Sequence, residues 1–252
     1  MQILLTNDDG IHGEGLRAIY KELSKISKVT VVAPDSERSS VGHGITLAHP
    51  LWVQKVKVFN KNSFYGISGT PADCVKVALR VILKKKPDLI ISGINLGPNC
   101  GYSVFYSGTI AAAREGAMLG IPSIAISLAT FNNPDFSYAA VVGAKLAKIF
   151  NKMKLPEQTF LNVNVPNKKS ENIKGMRIVR QSIEPIHSKF LKRKDPYARS
   201  YYWLSASIPA KRSASSHDIQ ALRKGYVTIT PIHCDLTDYS FLDELKKKSI
   251  LF

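Results

Sequence analysis

The sequence predicts an α/β fold: a three-layer, Rossmann-like core around a mostly parallel sheet, followed by a C-terminal extension that carries a long β-hairpin. Three observations predict it. Short apolar, β-branched runs alternate with stretches of helical period from the first residue to about residue 166. Runs such as "DLIISGI" and "PSIAISL" are apolar without interruption, the pattern of strands covered on both faces by helices. After "TFLNVNVP" at 159–166 the alternation stops.

The elements follow in order. "MQILLTN" reads as the first strand, and "GEGLRAIYKELSKI" as an amphipathic helix with Leu16, Ile19, Tyr20 and Leu23 on one side. "KVTVVAP" is the second strand, and residues 35–50, "DSERSSVGHGITLAHP", form a polar loop with glycines. "LWVQKVKVF" and "SFYGIS" read as a hairpin pair. "TPADCVKVALRVILKK" opens a helix with Thr70 as N-cap, Pro71 at the first helical position and Asp73 in the first turn. "DLIISGI" is a buried strand, followed by a glycine-rich loop and the small-residue helix "GTIAAAREGAMLG". "PSIAISL" and "YAAVVGAKLAKIF" are the next strand and helix. Beyond residue 166 come a strand at "GMRIVRQSI", a long hairpin in the basic-aromatic stretch, a strand at "GYVTITPI" and a helix at "DYSFLDELKKKSILF". With no internal repeat and no low-complexity linker, residues 1–252 are expected to form one domain, its core about 1–166 and its extension about 167–252.

Composition bounds the function. With 252 residues, 44% of them hydrophobic, the chain can bury a sizeable core. No window approaches ~18 uninterrupted apolar residues, so no membrane span and no membrane partner are expected. Met1-Gln2-Ile3 does not begin a basic region leading into an apolar run, so no signal peptide is expected. Cys74, Cys100 and Cys234 are far apart and outside any C-x-x-C pair, which suits a reducing, cytoplasmic location and argues against a disulfide framework. The formal net charge is +16 and uneven. Residues 187–212 hold seven Lys and Arg against one acid, Asp195, interleaved with Tyr197, Tyr201, Tyr202 and Trp203. Such a mixture can bind nucleic acid. Without a recognisable nucleic-acid module, a solvated basic face or a lure for small anions is the better reading, and no specific nucleic-acid partner is expected.

The chemistry gathers at loops that follow strands. In an open parallel sheet ligands bind beyond the carboxyl ends of the strands, and Asp8 and Asp9 sit at such an end. "PDSERSS", "SGINLGPN" and the helix start at "YSGT" reach the same edge. Two adjacent carboxylates repel one another unless a divalent cation lies between them, and oxygen ligands suit magnesium or manganese. The helix start, with the Ser107 and Thr109 hydroxyls, is an anion site. A cation beside a phosphate site points to phosphate ester hydrolysis. Each piece has a plainer reading alone: Asp-Asp-Gly as a turn, the glycines of "GINLGPNCG" as tight bends, Ser107 as a helix cap. His12 reads as a loop histidine, while His43 and His49 lack metal-ligand spacing and carry no role. No G-x-G-x-x-G follows the first strand, which counts against a dinucleotide cofactor.

"ILLTNDDG", "VVAPDSERSS", "SGTPADCV", "PDLIISGINLGPNCG" and "YSGTIAAAREG", in this order and spanning most of residues 3–128, resemble the SurE family of survival-protein E nucleotidases. "GYVTITPI" with the Asp-x-Thr at 235–237 fits the C-terminal part of that family. The resemblance implies a metal-dependent 5′-nucleotidase acting on nucleoside 5′- and 3′-monophosphates, with some members also shortening polyphosphate. It also implies one divalent cation per subunit, Mg2+, Mn2+ or similar, and homodimers or homotetramers built by exchange of C-terminal elements. The family's metal ligands fall on Asp8, Asp9, Ser39 and Asn95, and its phosphate site on Asn99, Ser107, Gly108 and Thr109. The residues alone choose neither Ser39 over Ser40 nor Asn95 over Asn99. One departure is Ser40, where the family often has glycine. The implied reaction is attack by a metal-activated water, with Asp8 and Asp9 holding the cation. Two rivals remain: an aspartyl-phosphate route with Asp8 as nucleophile, although such enzymes usually show Asp-x-Asp, and a basic nucleic-acid-binding protein without catalysis.

Overall fold

The structure is a computed structural model; it describes residues 1–58, 62–150, 152–153, 155–185, 187–207 and 217–248. Its centre is β1 (Gln2–Thr6), flanked by β2 (Lys28–Pro34) and β5 (Leu89–Leu96), both parallel to it. Ile3, Leu4 and Leu5 are all fully buried. Because successive side chains leave a strand on opposite faces, Ile3 and Leu5 join one apolar cluster and Leu4 another. The first cluster packs under α1 (Glu14–Leu23) and α4 (Ser137–Phe150), the second under α2 (Pro71–Val77) and α3 (Gly108–Met118). That is the three-layer arrangement the uninterrupted apolar runs predict.

Among the described residues the sheet has nine strands, in the order β3 (Val53–Val58), β4 (Asn62–Ile67), β2, β1, β5, β6 (Ser123–Ala129), β7 (Thr159–Pro166), β11 (Val227–His233) and β8 (Met176–Ile178). β3 and β4 form the expected antiparallel hairpin at one edge, β4 running parallel to β2. Beyond β7 the sheet continues into the extension. β11 pairs antiparallel with β7, and β8 lies parallel to β11 on the outside. The expected strand at "GMRIVRQSI" is thus only three residues long. It is an edge strand exposed along its length, paired among the described residues with Val227–Ile229, after which Arg180 makes an isolated bridge to His217.

Local signals explain the buried face of α1 and the starts of α2 and α3. On α1, Leu16, Ile19 and Leu23 are buried, and Tyr20 packs edge-on to Phe64. α2 starts with a capping box: the Thr70 side chain accepts from the Asp73 N–H, and the Asp73 carboxylate accepts from the Thr70 N–H. α3 starts at Ser107, whose hydroxyl accepts from the Ile110 N–H. In the extension, β9 (His187–Lys194) and β10 (Ser200–Ser207) form a separate two-stranded antiparallel hairpin. α5 (Asp218–Arg223) precedes β11, and α6 (Tyr239–Lys247) follows it with no buried residue. The last part of the predicted basic-aromatic stretch, 208–212, and the chain end 249–252 lie outside the described residues.

The strand order decides where ligands go. From β1 the chain builds outward to β2 and β4 on one side and to β5, β6 and β7 on the other. Sheet order therefore reverses between β1 and β5, and a crevice opens beyond their carboxyl ends. Asn7–Asp9 leave β1 at that point, and Gly97–Asn99 leave β5.

Candidate metal and phosphate site

The turn after β1 is built by its own polar groups. The Asn7 Nδ2 donates to the Gly10 carbonyl at 2.9 Å, and the Gly13 N–H donates to the same oxygen at 2.9 Å. Gly10 takes φ +95°, and a Cβ there would meet the Ser36 carbonyl carbon at 3.2 Å. Glycine at this point lets the loop after β2 close over the turn. The Arg38 N–H completes the closure by donating to the Asp8 carbonyl at 2.8 Å.

Asp8 is not an exposed loop acid; it is 3% exposed. Its two carboxylate oxygens accept from one residue, Thr109: the backbone N–H at 3.0 Å and the hydroxyl in a short bond. Gly108 makes this approach possible, since a Cβ there would lie 2.9 Å from the Asp8 Cβ. Burial holds the Asp8 carboxyl above its ordinary range against the lowering pull of the Thr109 bonds, and the Glu37 charge adds to the rise. Asp9 is pushed up to about 7, by burial first and then by the charges of Asp8 and Glu37, with a backbone bond from Leu96 opposing. The Glu37 charge raises the cost of ionising Asp8 and Asp9, and the Asp8 charge that of Asp9; a divalent cation bound among such acids relieves it.

The remaining predicted residues come from the neighbouring loops. Ser39 is exposed, and its hydroxyl donates to Glu37 Oε1 at 2.7 Å. Asn95 donates through Nδ2 to the Gly97 carbonyl at 2.7 Å, which leaves Oδ1 as the acceptor on offer. Asn99 is buried and tied down on several sides. Its N–H donates to Asn164 Oδ1 at 2.7 Å, its Nδ2 to Ser127 Oγ at 2.9 Å, and its carbonyl accepts from Asn162 Nδ2 at 2.7 Å. At the start of α3 the Thr109 N–H goes to Asp8 and the Ile110 N–H to Ser107 Oγ. Among the described residues the Ser107 hydroxyl proton and the Gly108 N–H have no acceptor. The structure thus brings Asp8, Asp9, Gly108 and Thr109 into one contact set, with Ser39 joined to it through Glu37 and Asn95 through its neighbour Leu96. Thr109 stands in it as the holder of Asp8.

The donor set fits a hard divalent cation. Among the described residues no group of three or more His, Cys, Asp or Glu side chains forms a metal cage. A cation at this edge would have two carboxylates and neutral oxygens from Ser39 and Asn95, a set suited to magnesium or manganese with part of its water retained. Asn7 Oδ1, beside these acids in the chain, is a further buried oxygen without a hydrogen-bond partner among the described residues. A cavity of about 750 Å³ lined by Arg114, Arg180 and His233 contains none of the predicted site residues, so volume does not mark this site and chemistry does.

Sequence reasoning missed two groups. Glu37 lies within the "PDSERSS" loop and its charge acts on both aspartates; an acid two residues before a candidate ligand serine was the available signal. Asn162 and Asn164 are wholly buried and grip Asn99. Their signal was two asparagines at strand spacing inside the apolar run "TFLNVNVP".

The family described as survival protein SurE matches residues 3–188. The chain belongs to the SurE family. Its SurE relatives include a 5′-nucleotidase SurE of Chlorobium phaeobacteroides, 46% identical over 245 residues, which covers 97% of this chain and 95% of the relative. A 5′-nucleotidase SurE of Thermosipho melanesiensis is 44% identical over 248 residues, covering 98% and 97%. Among solved structures, the SurE protein from Aquifex aeolicus superposes with a TM-score of 0.87 at 41% identity, covering 99% of this chain and all of that one. The likeness therefore runs through the extension as well as the core.

Proposed function

We propose that this chain is a divalent-cation-dependent phosphomonoesterase that hydrolyses nucleoside 5′-monophosphates, and 3′-monophosphates alongside them, to nucleoside and phosphate. The 5′-nucleotidase reading is supported by relatives of that name that match nearly the whole chain. The observation that carries the mechanism is the clasp between Asp8 and Thr109. It fixes a buried carboxylate against the start of α3, so that a cation held by the acid and a phosphate held by the helix share one place.

When bound, a Mg2+ or Mn2+ ion supplies Lewis acidity toward the phosphoryl group and toward the attacking water. The residues supply the rest. Asp8 and Asp9 hold the cation, Thr109 fixes Asp8 in one rotamer, and Ser39 and Asn95 add neutral oxygens. The Ser107 hydroxyl and Gly108 N–H are preorganised donors for the phosphoryl oxygens. Asn99 shapes the loop between β5 and α3 from behind. A covalent route through Asp8 is disfavoured, because both of its oxygens already accept bonds from Thr109 and it is 3% exposed.

The net charge of +16 favours anionic substrates, and short polyphosphate belongs to the proposed range. No helix among the described residues is long and apolar enough to cross a membrane. A cytoplasmic location and a homodimer or homotetramer joined through the C-terminal extension complete the proposal.

The test is phosphate release from a panel of nucleoside 5′- and 3′-monophosphates, short polyphosphate and simple phosphate esters, in the presence of Mg2+ or Mn2+. Turnover of the 5′-monophosphates above the simple esters is expected. Salt-sensitive binding to nucleic acid with no phosphate release from any of them would favour the non-catalytic reading instead.

A further inference from the structure

Glu115 has no part in the chemistry above, yet it is a buried acid, 2% exposed, on the second turn of the helix that begins at the phosphate site. An unpartnered carboxylate at such a place would be strongly destabilising. Glu115 is doubly engaged: Oε1 accepts from Lys76 Nζ on α2 at 2.6 Å, and Oε2 lies 2.9 Å from His43 Nε2. Burial pushes its carboxyl up, and the bonds and charges of these two partners outweigh burial and bring it below the ordinary range.

The two partners differ in what they hold. Lys76 joins two helices that already pack together. His43 belongs to the polar loop after β2, which has no helix or strand of its own between Pro34 and Val53. That loop carries Ser39. On its N-terminal side Ser39 follows the Arg38 N–H bond to Asp8. On its C-terminal side the chain turns through Ser40 and Gly42, both at φ 59°, and regains the body of the protein at the Gly42 N–H bond to the Tyr106 carbonyl, 2.9 Å, and at His43. His43 is thus the side chain after Ser39 that first ties the loop to a buried group, and it ties it to the same helix that holds Asp8.

We propose that the His43–Glu115 pair is a positioning clamp: it fixes the Ser39 loop to α3, and so sets Ser39 relative to Asp8 and Asp9 for cation binding. This rests on the cation site proposed above. Neither residue touches substrate or cation; both act through the loop. The roles of Lys76 and His43 then separate, Lys76 serving stability and His43 serving the loop.

The experiment is titration calorimetry with Mn2+ on the full chain, alongside a thermal midpoint without cation and steady-state kinetics. His43→Leu removes the tether while keeping bulk. Its Mn2+ dissociation constant should rise by ~10-fold or more, the scale seen when a residue that holds a metal ligand from behind is lost. KM at saturating cation should stay near wild type, because the α3 cradle is unmoved. His43→Gln keeps a donor of similar reach and should return affinity close to wild type. Lys76→Met should lower the thermal midpoint and leave the dissociation constant unchanged. Should His43→Leu fail to fold, Glu115→Gln, which keeps the shape but weakens the bond, carries the same expectation of weakened binding. Wild-type affinity in His43→Leu, or equal loss in Lys76→Met, overturns the clamp alone. No Mn2+ binding by the wild-type chain overturns the cation site, and the clamp with it.

Discussion

Asp9 sets the electrostatic character of the site. Its carboxyl rises from 3.8 to about 7 on folding, and Asp8 is raised beside it. An acid whose folded value exceeds its unfolded one binds protons more tightly in the folded chain. The stability this gives is present at low pH and is lost as pH rises from 3.8 through about 7. Without cation, the thermal midpoint of the wild-type chain should therefore fall across that window relative to Asp9→Asn. Added Mg2+ should restore it more at pH 8 than at pH 5, because only the ionised pair binds. Asp9→Asn should abolish phosphate release while making the cation-free fold more stable above pH 7, by a few kcal/mol at about 1.4 kcal/mol per pKa unit. Thermal unfolding in EDTA and in Mg2+ over this pH range checks both statements. Thr109 makes a second residue-scale case. Thr109→Val removes the hydroxyl bond to Asp8 and should lower kcat ~10–100-fold, whereas Thr109→Ser should stay near wild type. The acids themselves were legible in the sequence, as an Asp-Asp pair at the end of an apolar run. Their burial was not, because it comes from packing between distant parts of the chain, as in the bonds from Thr109, 101 positions away, to Asp8.

At the scale of the elements, alternation read correctly wherever strands and helices pack face to face. β1, β2, β5, β6 and β7, with α1, α3 and α4, follow from the apolar pattern, while the helix expected from Thr70 through Lys85 is α-helical only over Pro71–Val77 and passes into a π-helical turn at Ala78–Ile82. The extension read less well. β8 is short because it is an exposed edge, and β11 inserts antiparallel between β7 and β8, a pairing that no local pattern announces. The loop after β5 was legible as glycine-rich, but not what shapes it. Asn162 and Asn164 project from β7 and take up the Asn99 N–H and carbonyl, satisfying backbone groups that burial would otherwise strand. Asn164→Leu leaves the Asn99 N–H without its acceptor. It should destabilise the fold by ~1–3 kcal/mol, read by denaturant unfolding, and lower phosphate release as the loop shifts.

At the scale of the whole molecule, the hairpin β9–β10 exposes a run of apolar side chains among the described residues. Trp203 is 62% exposed, and Phe190, Leu191, Tyr202 and Leu204 stand exposed with it. A two-stranded hairpin outside the main sheet cannot bury such side chains by itself, and a monomer seldom leaves so much apolar surface in water. As an arm between subunits it would cover them. Replacing residues 188–206 with a short Gly-Ser turn should give monomers with the core intact, and light scattering on the parent and the variant should show an oligomer reduced to a monomer; a parent that is itself monomeric, or a variant that keeps the parent's mass, would rule out the arm. The proposed cation-dependent phosphatase site is drawn from the first nine residues and three neighbouring loops. Its most direct measurement is phosphate release from a nucleoside 5′-monophosphate by the EDTA-stripped protein, titrated back with Mg2+ or Mn2+, with Asp9→Asn in parallel. The account predicts no release when stripped, full recovery on titration, and none at any cation concentration for Asp9→Asn. Turnover that persists in EDTA, or that survives in Asp9→Asn, contradicts it.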